Sequence, residues 1–133
     1  MSRIIDKLAW IEIVNGKILV ARSVGKDAFY IPGGKREPGE NDDEALMREI
    51  EEELTVSLLP ESLEYFGTFE AQAHGKPEGV SVQMTCYWGE YVGEIKPASE
   101  IEEVRWLNHH DKPLVSFVDR IIFDDLHQKG LLS

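Results

Sequence analysis

The sequence predicts an α/β protein in which short strands alternate with two amphipathic helices. Two β-rich runs at 7–14 and 17–23 are joined by an Asn-Gly pair, which accepts positive φ in a two-residue hairpin turn. Apolar residues recur at helical spacing after Asn41 and again at 116–129. We expect the two helices to cover opposite faces of a mixed β-sheet, which is a three-layer arrangement.

Length and charge limit the classes of protein. The chain has 133 residues with 42% hydrophobic content, which is enough for one core, so we expect a single domain over 1–133. A formal net charge of −11 argues against duplex nucleic acid or an anionic membrane as a partner, because both require a positive surface. MSRIIDKLAW has no apolar stretch typical of a signal peptide, and Cys86 alone excludes an intramolecular disulfide. We therefore expect a cytoplasmic monomer or homodimer.

The remaining strands are predicted from β-rich runs and turn signals. "FYI" at 29–31 predicts a brief strand that Pro32 ends, and "EVRWLN" predicts a late strand. The runs 63–73 and 80–92 predict two longer strands separated by the turn-rich "HGKPEG". The second run alternates strictly, so one face should carry Val80, Val82, Met84, Cys86 and Trp88.

Both helices have recognisable apolar stripes. The first should begin at an N-cap, Asn41, with Glu44 three residues later, and should bury Leu46, Ile50 and Leu54. For the final helix we expect a buried face that includes Phe117 and Ile121 and extends to Val118, Ile122 and Leu126.

The first helix lies in an unusually acidic stretch, "GGKREPGENDDEALMREIEEELTV", with nine carboxylates and three basic residues. Glu49, Glu52 and Glu53 stand at i, i+3 and i+4, so they share one helix face. They occupy the last turns, where the helix dipole disfavours anions by about 0.3–1 kcal/mol each. Hard divalent cations such as Mg²⁺ or Mn²⁺ prefer oxygen ligands. On spacing alone, a metal site and a solvated charged face remain equally open.

The stretch 34–56 resembles the Nudix box, G-x5-E-x7-R-E-U-x-E-E-x-G-U, where U is a bulky aliphatic residue. The matching residues, in order, are Gly34, Glu40, Arg48, Glu49, Ile50, Glu52, Glu53 and Val56. Thr55 departs from the pattern, since the family has glycine there, at a helix exit where a left-handed residue is common. The resemblance implies an α/β/α sandwich with a mixed sheet. It also implies hydrolysis of a nucleoside diphosphate linked to another group.

The same resemblance implies roles for the matched residues. Glu49, Glu52 and Glu53 would bind Mg²⁺ or Mn²⁺, and one of them, or a carboxylate from elsewhere, would activate water. Glu40 would support the metal site, and Arg48 would hold the glutamates in orientation. Gly33 would either offer its carbonyl oxygen to the metal or serve as a simple tight turn. Such proteins often recruit another late acid, and three residues are candidates: Glu100, Glu102 and Glu103.

Substrate identity is less constrained by the sequence. By its compact length and lack of an added domain, the chain most resembles the small nucleoside-triphosphate-cleaving branch of this family, and this resemblance implies cleavage of a triphosphate to the monophosphate and pyrophosphate. Alternatives are hydrolysis of RNA 5′ ends, of ADP-ribose or of nucleotide sugars, and a module that binds a nucleotide derivative without turnover. Phe29, Tyr30 and Phe69 are candidates for base stacking, although aromatics in strands are more often core residues. Three histidines in expected loops, His74, His109 and His110, are interpreted as surface residues.

Overall fold

The computed structural model describes residues 3–133, which form nine strands, two α-helices and two short 3-10 helices. The strands are β1 (Arg3–Ile11), β2 (Ile13–Val14), β3 (Lys17–Ser23), β4 (Gly33–Gly34), β5 (Ser57–Leu58), β6 (Glu64–Gln72), β7 (Val80–Trp88), β8 (Tyr91–Val92) and β9 (Ile101–Leu107). The helices are α1 (Asp42–Leu54) and α2 (Phe117–Gln128), and the 3-10 helices span Pro60–Ser62 and His109–Leu114.

The strands form a four-stranded mixed sheet, a three-stranded antiparallel sheet and a two-stranded ribbon. The mixed sheet has the order β4-β1-β7-β6, with β1 parallel to β7 and both outer pairs antiparallel. The antiparallel sheet has the order β2-β3-β9, and β5 pairs with β8. The predicted mixed sheet is therefore confirmed, and a second sheet stands beside it.

The two helices cover opposite faces of β1, as predicted. Leu8 and Trp10 pack in one core cluster with the α1 residues Leu46, Ile50 and Leu54. The alternate β1 residues Ala9 and Ile11 pack against α2 in a second cluster. The α2 residues in that cluster are Val118, Ile122, Phe123 and Leu126. A strand points successive side chains to opposite faces, so β1 can serve both cores at once.

The predicted hairpin turn is confirmed, but three strand predictions were wrong. Asn15 and Gly16 both have positive φ, 53° and 77°. The expected strand 7–14 begins at Arg3 and is divided into β1 and β2, which belong to different sheets. In the expected strand 29–31 only Phe29 and Tyr30 form bridges, and both are isolated; the ladder with β1 falls on Gly33–Gly34. The run 80–92 is divided into β7 and β8, because Gly89 and Glu90 interrupt the ladder.

The expected inner face of α2 was wrong in part. Phe117 and Ile121 are 38% and 43% exposed, whereas Val118, Ile122 and Leu126 are buried together with Phe123. Two i, i+4 apolar series lie one residue apart on this helix, and Phe123 adds a large side chain to the second. The guanidinium of Arg120 lies 5.2 Å from the outward-facing Phe117 ring.

Helix α1 begins and ends as the sequence predicts. Asn41 and Glu44 form a complete capping box at its start. At its end Thr55 has φ 61° and ψ 21°, the left-handed conformation that is common at this position. The Thr55 hydroxyl donates a 3.0 Å hydrogen bond to the backbone oxygen of Glu94, which a glycine could not do.

We expect Thr55→Ala to lower the free energy of unfolding by about 1 kcal/mol, because it removes this hydrogen bond and keeps the left-handed backbone. Thr55→Gly should stay within about 0.5 kcal/mol of the original protein, because relief of the backbone cost offsets the lost hydrogen bond. Urea unfolding measures both, with Thr55→Ser as the control that keeps the hydroxyl. A glycine variant stabilised by about 1 kcal/mol or more would mean that the bond to Glu94 contributes nothing.

Candidate active site

Two glycines bring the backbone against the end of β1. Gly33 pairs with Ala9 and has φ 153°, and a Cβ on it would lie 1.9 Å from the backbone oxygen of Leu8. A Cβ on Gly34 would lie 2.4 Å from a carboxylate oxygen of Glu49. A side chain at Gly33 would meet fixed backbone, and one at Gly34 would displace the Glu49 carboxylate, so the two glycines let this backbone lie beside the acidic face of α1.

Arg48 is the hub of the acidic stretch. Its Nε and Nη2 donate to the two oxygens of Glu40 at 2.7 and 2.8 Å, a bidentate pair. Nη1 donates to Glu49 at 2.9 Å, and Nη2 also donates to the backbone oxygen of Lys35 at 3.0 Å. The Arg48 hydrogen bonds, together with one from the Glu37 amide, lower the pKa of Glu40 to about 2.

Glu53 is the buried acid of this group. Its side chain is 4% exposed, and its Oε1 has no hydrogen-bond partner. Burial is the main cause that raises the pKa of Glu53 to about 9, followed by the charge of Glu49 and a hydrogen bond with it. Two carboxyl groups therefore lie side by side, and both burial and the charge of Glu49 disfavour the ionised form of Glu53.

The donor chemistry fits a hard divalent cation. Glu49 and Glu53 present carboxylate oxygens in a partly desolvated position, and such oxygens are the ligands that hard cations prefer. The buried Oε1 of Glu53 has no hydrogen-bond partner to offset the cost of its burial. Glu52, with a side chain 55% exposed and only a 3.5 Å contact to Arg48, is accessible from solvent. Within residues 3–133, no three acidic, histidine or cysteine side chains are already arranged as a metal site. A cation would therefore have to draw these carboxylates together.

Among the late acids, only Glu100 lies at this group. Its charge contributes to the raised pKa of Glu53, and it lines the same cavity as Glu49 and Glu53. Glu102 and Glu103 instead pair with Arg22, at 2.8 and 2.9 Å. The structure thus separates three candidates that the sequence leaves equivalent.

A cavity of about 410 Å³ extends from these carboxylates along the α2 side of the mixed sheet. Its size is within the usual range for small-molecule sites. Tyr30 and Phe29 line it, whereas Phe69 packs against Phe66, with ring centres 6.0 Å apart. Of the three histidines, His74 lines the cavity, contrary to its interpretation as a simple surface residue.

Asp119 also lines the cavity, and the sequence analysis missed it. It is fully buried; its Oδ1 accepts from the Ile31 amide at 3.2 Å and its Oδ2 accepts from the Ser116 hydroxyl. Burial is the main cause that raises its pKa to about 6. The available signal was the Ser-x-x-Asp pattern at the start of α2, which is typical of a helix N-terminus.

We expect Asp119→Asn to gain stability relative to the original protein as pH rises from 4 to above 6. The folded-state pKa of Asp119 is raised, so the native state binds the extra proton and loses stability as pH rises through about 6. Asparagine is neutral and can keep both hydrogen bonds. Urea unfolding at several pH values measures the difference between the two proteins. A difference that does not change between pH 4 and 8 would show that Asp119 is not penalised by its burial.

Comparisons with known proteins agree with this architecture. A family model described as the NUDIX domain matches residues 8–125. The NAD-capped RNA hydrolase NudC of Pseudomonas putida strain W619 is 33% identical over 101 residues, 73% of this chain and 34% of the relative. The ADP-ribose pyrophosphatase of Methanocaldococcus jannaschii is 28% identical over 106 residues, 79% of this chain and 61% of the relative. The chain thus spans about a third of the first relative's length and less than two thirds of the second's.

The fold is also that of solved structures. The crystal structure of a MutT NUDIX hydrolase from Burkholderia pseudomallei superposes with a TM-score of 0.75 at 22% identity, covering 92% of this chain and 98% of that one. No helix within the described residues is long and apolar enough to cross a membrane. Because the family model covers most of the chain, and because the fold agrees with it, this protein belongs to the NUDIX family.

Proposed function

We propose that this chain is a single-domain, divalent-metal-dependent pyrophosphohydrolase of the NUDIX family that converts nucleoside triphosphates to monophosphates and pyrophosphate. The observation that supports the proposal is the partly buried Glu49 beside the buried Glu53 in the wall of a cavity large enough for a nucleotide. An unpartnered carboxylate oxygen is costly to bury, and a bound cation would remove that cost. The partner would be a small cytoplasmic nucleotide.

The chain's own residues divide the work at this site. Glu49, Glu52 and Glu53 would bind Mg²⁺ or Mn²⁺, and the backbone carbonyl of Gly33 would contribute a further oxygen. The bound cation supplies charge neutralisation on the phosphate oxygens and lowers the pKa of water. Arg48 orients Glu49 while Glu40 fixes the guanidinium, so both act on the carboxylates through hydrogen bonds. Glu100 or Glu53 would accept the proton of the attacking water.

A second candidate is the hydrolysis of a pyrophosphate that joins two larger groups. Two relatives favour it, since one is an NAD-capped RNA hydrolase and the other an ADP-ribose pyrophosphatase. The cavity volume of about 410 Å³ is near the lower end of the usual range for small-molecule sites, which favours the smaller substrate, a nucleoside triphosphate. A binding module without turnover would not need the full set of box carboxylates.

A substrate panel separates these functions. The purified protein is incubated with Mg²⁺ or Mn²⁺ and nucleoside triphosphates, ADP-ribose, nucleotide sugars, NAD and 5′-triphosphate RNA, and products are identified by mass. We expect monophosphate and pyrophosphate from a triphosphate as the fastest reaction. Faster cleavage of ADP-ribose or NAD would favour the second candidate, and no turnover of any compound would favour a binding module.

We expect Glu53→Gln and Glu52→Gln to slow turnover by two to three orders of magnitude, which corresponds to about 3–4 kcal/mol of transition-state stabilisation. An amide oxygen is a poorer ligand than a carboxylate for a hard cation. Glu51→Gln is the matched control, because Glu51 is exposed and points away from the face shared by Glu49, Glu52 and Glu53. If all three variants keep similar rates, the acidic cluster is surface charge and the assignment fails.

We also expect Mg²⁺ or Mn²⁺ to raise the melting temperature beyond the effect of ionic strength. A ligand that binds only the folded state adds about 2.7 kcal/mol at a hundredfold excess over its dissociation constant. Thermal unfolding in MgCl₂ is compared with unfolding in NaCl of equal ionic strength, and EDTA should reverse the gain. Glu53→Gln should lose most of it. Equal shifts in the two salts would reduce the effect to general screening of charge.

A further inference from the structure

One edge of the antiparallel sheet is open. Strand β9 is the outer strand in the order β2-β3-β9, and within residues 3–133 no strand pairs with its other side. Arg105 and Trp106 point to opposite faces of β9, and both are exposed. An uncovered edge strand is a template for pairing with another chain, and proteins often prevent this with proline or lysine. β9 contains neither residue.

The pairing of β3 shows which backbone groups of β9 face outward. Ala21 exchanges two 2.9 Å hydrogen bonds with Tyr30, so its amide and carbonyl point away from β9. Ala21 stands opposite Val104, and this pair is therefore a non-hydrogen-bonded pair of the ladder. The amide and carbonyl of Val104 point away from β3, and those of Trp106, two residues later, point the same way. In the part of the chain that the structure describes, these groups have no hydrogen-bond partner.

The charges of this edge favour one register of pairing with a second copy. Outward-facing residues must meet outward-facing residues, so a two-fold axis has to pass beside a single residue. An axis at Glu103 or at Arg105 would set two like charges directly opposite each other, which destabilises a sheet. An axis at Val104 instead sets Glu103 opposite Arg105 of the second copy, and does so twice. Both side chains are accessible for this, with 34% and 50% exposed.

The balance of charge also distinguishes β9 from the rest of the surface. The chain has a net charge of −11, so two copies repel each other over most approaches. At β9, by contrast, Arg22 and Arg105 balance Glu102 and Glu103, with which they form ion pairs. The long edge strand of the mixed sheet, β6, has two glutamates and no basic residue. Pairing β6 with itself would bring only acids together.

We propose that β9 is a dimerisation edge whose occupant is β9 of a second copy, antiparallel, with the two-fold axis at Val104. The two three-stranded sheets would join into one continuous sheet of order β2-β3-β9-β9-β3-β2. The two Val104 residues would exchange a pair of backbone hydrogen bonds, and Glu103 and Arg105 would form cross-strand pairs. This inference is independent of the proposed function, because no residue of β9 lines the cavity.

The original protein tests the proposal without any variant. Sedimentation equilibrium is run at about 0.15 M salt, where a Debye length of about 8 Å limits the general repulsion between copies. We expect a reversible dimer with a dissociation constant below about 1 mM. Hydrogen exchange at the Val104 amide should slow as the protein concentration rises, whereas exchange in β6 should not change. Single chains only at about 1 mM, or a dimer without slower exchange in β9, would overturn the proposal.

A pair of charge variants tests the register. Arg105→Glu leaves only acids at the two facing positions, and Glu103→Lys leaves only bases there. Each variant alone should weaken the dimer about tenfold or more. An equal mixture of the two should form a heterodimer about as stable as the original dimer, because with the axis at Val104 every facing pair again has opposite charges. A mixture no more dimeric than its components would show that this register is wrong.

Matched controls separate the register from net charge. Arg3→Glu and Glu61→Lys make the same charge changes at exposed positions outside β9. Each should leave the dissociation constant within about twofold of the original value, since net charge acts at longer range and is screened by salt. An equal weakening by the controls and by the β9 variants would reduce the effect to general repulsion and overturn the assignment of β9. Circular dichroism checks that all four variants are folded.

Discussion

The contacts of one guanidinium decide how this acidic segment can fold. Arg48 binds both oxygens of Glu40, one oxygen of Glu49 and the backbone of Lys35, so it joins the loop before α1 to the helix itself. No lysine could do this, because its single ammonium has no planar fork for a bidentate carboxylate. Without that charge the loop and the helix would carry acids against each other, and the position of Glu49 beside the glycine pair would not be held.

Arg48 does not offset the charge of Glu53, because it is not among the groups that chiefly shift the pKa of Glu53. Helix α1 has no basic residue in its last turn, so Glu53 meets the negative end of the helix dipole as well as Glu49. Burial then makes its charged form still less favourable, which is why its pKa rises so far. A sequence selected for stability alone would place a lysine or an apolar residue here. An acid kept at such a position indicates a site completed by something positive.

Much of the fold could be predicted because it depends on local signals. The capping box at Asn41, the stripe of α1 and the left-handed Thr55 each follow from residues within a few positions. What could not be predicted depends on tertiary pairing. A bulge between Arg22 and Ser23 shifts the register of β3 against β9, so Ser23 pairs with Ile101 while Arg22 pairs with Glu103. Arg22 binds Glu102 and Glu103, whereas Glu100 lines the cavity with Glu53, and nothing in the local sequence encodes this division.

The cavity, like the register shift, depends on residues that lie far apart in the sequence. Its walls come from β1, β7, the segment after β3 and the start of α2, so no short motif predicts it. Burial and the charge of Glu49 disfavour the ionised form of Glu53, which lines the cavity together with Glu49 and Glu100. A cation bound at these carboxylates would make ionisation of Glu53 favourable, so metal binding and the loss of that proton would be coupled. The same cation would attract the phosphates of a nucleotide to this wall before any contact with its base is made.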